Sequence, residues 1–304
     1  MKNVAISVGD LNGIGIELIL RNHDTISKIV HPIYIIDNDM LLQASKLLDM
    51  DIPSNFNTIS PNSNSFNIKA GEITKESGAY SFSSFKKAVE LAKNSEIDAI
   101  CTLPIHKKAW ELAGIPYKGH TDALRDFCQM DAIMMLGCPK LYVALFTEHI
   151  PLKDVPSYLT FDRLNKFLLD FYSSAKPNSI VGVIGLNPHA GDGGVLGNEE
   201  EIIKSAIDSA NNTIGKNIYN STPLVPDIAF SPNVRKEYKY LVAMYHDQGL
   251  APLKALYFDE SINVSLNLPF LRTSVDHGTA FDKAYKKVDI SSQSYINAIK
   301  YITI

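Results

Sequence analysis

Short apolar runs rich in β-branched residues alternate along the chain with longer segments whose apolar positions recur every three or four residues. The runs Asn3–Val8, Pro32–Ile36, Asp98–Thr102, Leu141–Thr147, Ser179–Leu186 and Tyr240–Tyr245 predict strands. Ser83–Lys93 predicts a helix, with Phe85, Val89 and Ala92 on one face and Lys86, Lys87 and Glu90 on the other. Thr160 reads as the N-cap of a second helix through Leu164, Phe167, Leu168 and Phe171. Glu199-Glu200-Glu201 opens a third, where carboxylates meet the positive end of the helix dipole. Pro53–Asn67, rich in Ser, Asn and Pro, reads as an exposed loop. The alternation predicts an α/β fold with a largely parallel sheet. No linker separates two halves, so two lobes would share the chain through more than one crossing.

Composition narrows the function classes. With 304 residues, 29 Lys+Arg and 33 Asp+Glu, the net charge is −4. That mildly acidic balance argues against nonspecific nucleic-acid or anionic-membrane binding, both of which rely on clustered cations. Cys101, Cys128 and Cys138 form no CxxC pair and fit thiols in a reducing compartment. The N-terminal apolar run stops at Asp10, too short for a signal-peptide core, and no apolar stretch reaches the ~18 residues of a membrane span. A soluble cytoplasmic protein is expected.

Three predicted strands run directly into a histidine: Leu141–Thr147 into His149, Ser179–Leu186 into His189, and Tyr240–Tyr245 into His246-Asp247. In open parallel sheets ligands bind beyond the carboxyl ends of the strands, where three imidazoles could converge on one divalent metal. The spacing is unspecific, and each histidine taken singly reads more readily as a hydrogen-bonded loop or core residue. Asn187–Gly194 (NPHAGDGG) has closely spaced glycines that permit close approach to an anion, or simply a wide turn. Lys254, Asn263 and Arg272, with Gly119-His120-Thr121-Asp122 upstream, would suit a phosphate monoester; solvated surface charges are the plainer reading. Arg272 falls within Asn267–Gly278, which reads as an apolar-to-polar loop on a cleft wall. Gly9–Gly15 is not GxGxxG and reads as a glycine-assisted helix start, with Asp10 and Glu17 facing a cleft. His106-Lys107-Lys108 places cations at a helix start, where a nearby anion would compensate them; an exposed charged turn reads slightly better.

These segments together resemble the 4-hydroxythreonine-4-phosphate dehydrogenase family of pyridoxal phosphate biosynthesis. The resemblance runs through the start from Gly9 to Glu17, LPIHK at Leu103–Lys107, AGIPYKGHTD at Ala113–Asp122 and HIPLKDV at His149–Val155. It continues through NPHAGDGG at Asn187–Gly194, Pro226-Asp227, YHDQGLAPLK at Tyr245–Lys254 and NLPFLRTSVDHGTA at Asn267–Ala280. It implies two α/β/α lobes flanking a cleft, similar to isocitrate and isopropylmalate dehydrogenases and without a standard Rossmann motif. The first lobe would comprise residues 1–118 plus 276–304. The second, residues 119–275, would carry the metal site and the dimer interface. His149, His189 and His246 match the family's metal ligands. His120, Thr121, Lys254, Asn263, Arg272, Asp227 and Asp247 match substrate-binding positions, with Lys254 and Asp247 the catalytic candidates.

The resemblance further implies a homodimer with each site shared between subunits, and NAD or NADP with a divalent ion (Zn, Mg or Co) as cofactors. The expected reaction is oxidation of 4-phosphohydroxy-L-threonine followed by decarboxylation to 3-amino-2-oxopropyl phosphate. Leu11 stands where the family usually has Pro, and Pro252 is shifted one place. These departures keep open a related dehydrogenase of 4-phosphothreonate or 4-phosphoerythronate. A non-catalytic metal- or phosphate-binding protein is the alternative of a different class.

Overall fold

The computed structural model describes residues 1–303. The chain divides into two compact units. The first comprises Met1–Met130, Ile262–Val264 and Pro269–Ile304, and the second Asp131–Ser261 and Ser265–Leu268. Residues 119–130, 262–264 and 269–275, expected in the second lobe, group with the first unit.

In the first unit the order is β1 (Asn3–Ser7), α1 (Gly15–Ser27), β2 (His31–Ile35), α2 (Asn38–Leu48), β3 (Thr58–Ile59), α3 (Lys75–Lys93), β4 (Ala99–Thr102), α4 (Lys107–Leu112) and α5 (His120–Cys128). The second unit contributes β5 (Ile133–Cys138), β6 (Leu141–Leu145), α6 (Val155–Tyr158), α7 (Phe161–Ala175), β7 (Val181–Val183), α8 (Glu199–Ile214), α9 (Val234–Glu237), β8 (Tyr240–Ala243) and α10 (His246–Tyr257). After β9 (Ile262–Leu266), whose residues divide between the units, β10 (Leu271–Val275) and α11 (Gln293–Ile302) return to the first.

The first unit's strands lie in the order β3-β2-β1-β4-β10, all parallel. Val4–Ser7 of β1 and the whole of β4 are buried, as a doubly covered parallel sheet requires and as their uninterrupted apolar runs foretold. In the second unit the order is β5-β6-β8-β7, with β5 and β6 an antiparallel hairpin and β6, β8 and β7 parallel. Here α10 lies on the sheet, with Leu250 and Leu253 in a core with Leu136, Val143, Leu145, Leu241 and Ala243. Gly249 makes that approach possible: a Cβ there would sit 2.8 Å from Val143 Cγ1 and 3.0 Å from Ala243 Cβ.

Thr160 caps α7 as expected, accepting from the Arg163 N–H at 3.5 Å, and α8 opens at Glu199. Three expectations change. Helix α3 begins at Lys75, not Ser83; Thr74 caps it by accepting from the Ser77 N–H at 3.2 Å. Its first turns carry small and polar residues that bury against α4, where the Trp110 Nε1–H donates to Ser81 Oγ at 2.9 Å, so apolar periodicity could not show them. Pro53–Asn67 is no plain loop, since it holds β3 and stacks Phe56 on Tyr34 with ring centroids 4.0 Å apart. Arg272 lies inside β10, paired with Ile100 of β4, and is 2% exposed; a parallel strand buries it where a cleft-wall loop was expected.

Candidate functional site

The sheet order of the second unit sets the three histidine-bearing strand ends side by side. Strands β6, β8 and β7 are neighbours in that order, with Leu145 opposite Ala243 and Val183 opposite Val242. Beyond those positions the chains are tied together. The Thr147 Oγ1–H donates to the Met244 carbonyl at 2.7 Å, joining the ends that lead to His149 and His246. Gln248 joins the other pair: its Oε1 accepts the Met244 N–H at 2.7 Å and its Nε2 donates to the Gly185 carbonyl at 2.7 Å. One side chain on the first turn of α10 thus bridges the ends of β8 and β7.

His149 is exposed and His246 half-buried, and their rings lie 5.4 Å apart between centroids, tilted by 41°. His246 Nδ1 bonds Asp247 Oδ1 at 2.7 Å, and the tautomer with the proton on Nδ1 leaves the Nε2 lone pair available. A carboxylate on the far nitrogen is the usual way to fix the tautomer of a metal-binding imidazole. These features fit a divalent ion, and imidazole donors suit zinc or cobalt better than magnesium. Among the described residues no group of three or more metal-ligating side chains converges within one chain. His189 is exposed and is not part of such a cluster.

His189 stands on an unusual backbone. From His189 to Gly193 every φ is positive, at 53°, 52°, 78°, 44° and 66°. A left-handed turn costs an L-residue about 1–2 kcal/mol, and His189, Ala190 and Asp192 each bear it. Gly191 bears no such cost, and no side chain would fit there: a Cβ would fall 2.7 Å from Glu200 Oε2 and 2.8 Å from the Gly197 carbonyl. The turn is therefore imposed by its surroundings, among them the carboxylates of Glu199 and Glu200, both bonded to Asn187.

A second set of predicted residues meets in the first unit. The Arg272 guanidinium donates from Nε and Nη2 to Thr102 Oγ1 at 3.2 and 2.7 Å. Burial draws its pKa down to about 10, so it keeps its charge at neutral pH. His120 opens α5, its ring edge-on to Phe85 at 4.7 Å and to Trp110 at 5.5 Å. Its Nε2 is buried without a hydrogen-bond partner. Burial, and then the charge of Arg272, hold its pKa well below the ordinary imidazole range, so it is neutral. Thr121 follows in the same first turn, where amide donors suit an anion. Cys101, beside Thr102, is pushed up to about 12 by burial and is an inert thiol.

The other predicted residues are placed by their own elements. Lys254, on α10, lies over the Phe258 ring at 5.9 Å, and Asp227 is exposed in the second unit. Asn263, on β9, has a buried Oδ1 with no hydrogen-bond partner. Asp10 and Glu17 face no cleft: they are 0% and 2% exposed, Glu17 paired with Arg21 and Asp10 accepting from Asn12 N–H at 3.0 Å and Ser77 Oγ at 3.1 Å. His106 stacks on Phe281 at 4.9 Å, and burial lowers its pKa. Sequence reasoning passed over Thr102, Gln248 and Glu200. Gln248, two residues after His246, could have been found by asking what else the first turn of that helix brings to the strand ends.

Comparison with known proteins is consistent along nearly the whole chain. A profile of the family described as pyridoxal phosphate biosynthetic protein PdxA matches residues 28–302. The 4-hydroxythreonine-4-phosphate dehydrogenase of Sulfurimonas denitrificans is 60% identical over 297 residues, covering 98% of this chain and 95% of its own. That of Campylobacter fetus subsp. fetus is 52% identical over 303 residues, covering 99% and 97%. The crystal structure of a 4-hydroxythreonine-4-phosphate dehydrogenase from Klebsiella pneumoniae has a TM-score of 0.83 at 30% identity, covering 100% of this chain and 99% of that one.

Proposed function

The chain belongs to the PdxA family of pyridoxal phosphate biosynthetic proteins, the 4-hydroxythreonine-4-phosphate dehydrogenases, and from that premise we propose the reaction its residues perform. Membership makes it an oxidoreductase of pyridoxal phosphate biosynthesis whose chemistry implies a nicotinamide cofactor and a metal. The proposed substrate is 4-phosphohydroxy-L-threonine, oxidised at its secondary alcohol with NAD or NADP. The resulting ketone lies β to the carboxylate and loses carbon dioxide to give 3-amino-2-oxopropyl phosphate. We further propose a homodimer in which each site draws on both subunits.

His149, His189 and His246 would hold a divalent ion, which when bound supplies Lewis-acid polarisation of an oxygen. Asp247 keeps His246 in one tautomer by accepting from Nδ1. Arg272 brings a permanent cation to the phosphate, and Thr102, bonded to its Nε and Nη2, fixes the plane of the fork. His120, held neutral, presents an imidazole nitrogen that can exchange a hydrogen bond without adding charge. Thr121 adds donors at the start of α5, and Asn263 offers its unpartnered buried oxygen. Asp227 and Asp247 are the acidic groups suited to the substrate amine. Lys254 supplies an ammonium to balance negative charge as carbon dioxide leaves. Together these groups act by orientation, which alone is worth several kcal/mol of a barrier, about 7–11 in the best-aligned cases.

The observation that carries the metal chemistry is the juxtaposition of the His149 and His246 rings, with Asp247 on the far nitrogen. The test is NAD(P)H formation by chelator-stripped protein given 4-phosphohydroxy-L-threonine, with and without divalent metal, beside 4-phosphoerythronate. Metal-dependent turnover preferring the amino substrate is expected. Turnover with 4-phosphoerythronate alone would move the substrate assignment, and turnover indifferent to metal would remove the histidine site from the reaction.

A further inference from the structure

The left-handed turn that carries His189 is wound around one carboxylate. Glu200, on the first turn of α8, reaches back across the loop: Oε1 accepts the Leu186 N–H at 2.9 Å and the Asn187 N–H at 2.7 Å, and Oε2 accepts from Asn187 Nδ2 at 2.9 Å. The remaining Nδ2 hydrogen of Asn187 goes to Glu199 Oε2 at 2.7 Å. The Asn187 carbonyl then accepts the Ala190 N–H at 3.1 Å, closing the turn over His189. Both flanks press on the same group, since a Cβ on Gly185 would lie 3.2 Å from Glu200 Oε1 and one on Gly191 2.7 Å from Oε2. Only Pro188, whose ring fixes φ, separates the clamped Asn187 from His189. The backbone of His189, and with it the point from which the imidazole projects, therefore follows the Asn187 peptide with little slack.

We propose that Glu200 is a positioning residue whose carboxylate holds the 186–190 turn so that His189 is presented to the divalent ion. The inference rests on the reading of His189 as a metal ligand and extends it to a residue that touches no ion. Outer-shell groups of this kind change metal affinity about 10–100-fold when removed. Glu200→Gln is the sharpest variant. It preserves size and one acceptor but sets an amide N–H against Asn187 Nδ2–H, so the turn loses a bond and gains a repulsion.

The test uses cobalt(II) as the probe ion, added to metal-stripped full-length wild type, Glu200→Gln, Glu200→Asp, His189→Ala and the exposed neighbour Glu201→Gln. Cobalt affinity and the visible ligand-field spectrum are the readouts, with circular dichroism to verify the fold. A role confined to loop stability would alter unfolding while leaving the spectrum of the loaded protein unchanged. The expected result is at least a tenfold loss of affinity (~10-fold at the lower bound) and an altered spectrum in Glu200→Gln, with Glu201→Gln like wild type. Glu200→Asp keeps the charge but shortens the reach, and an altered spectrum is expected there too, which serves if the Gln variant does not fold. Wild-type affinity and spectrum in folded Glu200 variants, with His189→Ala impaired, would overturn the role of Glu200 alone. Wild-type behaviour of His189→Ala would remove His189 from the metal and the inference with it.

Discussion

Arg272 is a buried cation that turns two of its donors onto one hydroxyl, that of Thr102. Its charge is retained in a nearly solvent-free position. Thr102→Val keeps the shape and removes the acceptor. A hydrogen bond to a charged group is worth about 1.5–3 kcal/mol. KM for the phosphorylated substrate should therefore rise by an order of magnitude or more (~10-fold at the lower bound), with Thr102→Ser close to wild type. An equal rise for the dephosphorylated analogue in steady-state assays would mean that Thr102 does not act through phosphate binding. Asp10 makes the opposite case, a carboxyl whose ionisation the fold resists. Burial raises its pKa from 3.8 to about 6 against the pull of Asn12 and Ser77. Between those values the folded state binds the proton and the unfolded state does not, so this group's contribution to stability falls as pH rises from about 4 to 6. The difference approaches about 3 kcal/mol above pH 6. Asp10→Asn should match wild type near pH 4 and be the more stable protein at pH 7.5, as measured by urea unfolding. A stability difference independent of pH would refute it.

At the scale of elements, the ends of β6, β8 and β7 are held in register by side chains just past the strands, Thr147 and Gln248. Gly249 lets α10 settle close enough to the sheet for Gln248 to reach both Met244 and Gly185. Gln248→Leu removes both bonds, and about 2 kcal/mol of stability should go with them. Metal affinity should weaken in parallel, because β7 and β8 lose their tie where His189 and His246 begin. Unchanged thermal unfolding would show that backbone pairing alone holds these ends. The elements also show where reading a sequence works. Strands β1, β4, β6 and β8 were visible because double burial makes the run continuously apolar. The start of α3 was not, since Gly78 and Ser81 pack against α4, Ser77 donates to the buried Asp10, and none of them carries an apolar signal.

For the whole molecule, the proposed homodimer can be tested through its sites. If each site takes one histidine from the other subunit, mixing two inactive variants that lack different histidines should restore activity for some pairs and not others. A complementing pair approaches about a quarter of wild-type activity, because half of the reassociated dimers are mixed and each has one intact site. Measured after unfolding and refolding together, two of the three pairings among His149→Ala, His189→Ala and His246→Ala should complement. Complementation by none would confine each site to a single chain.

The amino-acid sequence determined the α/β class, most of the strands and the delivery of three histidines to strand ends. Each of these is written locally, as a period of two or about 3.6 and as the residue that follows a run. The family's motifs were legible for the same reason, being contiguous stretches. Tertiary structure decided the rest. It closed Asp10 and Glu17 inside the first unit, put Arg272 into a strand instead of a loop, and brought Thr102, 170 positions away, to it as an acceptor. It also seated Glu200 under a turn that begins more than a dozen residues earlier. A hydrogen bond between distant positions leaves no periodic trace in either segment, and burial of a polar group depends on what packs over it. Those choices are made only when the sheet assembles.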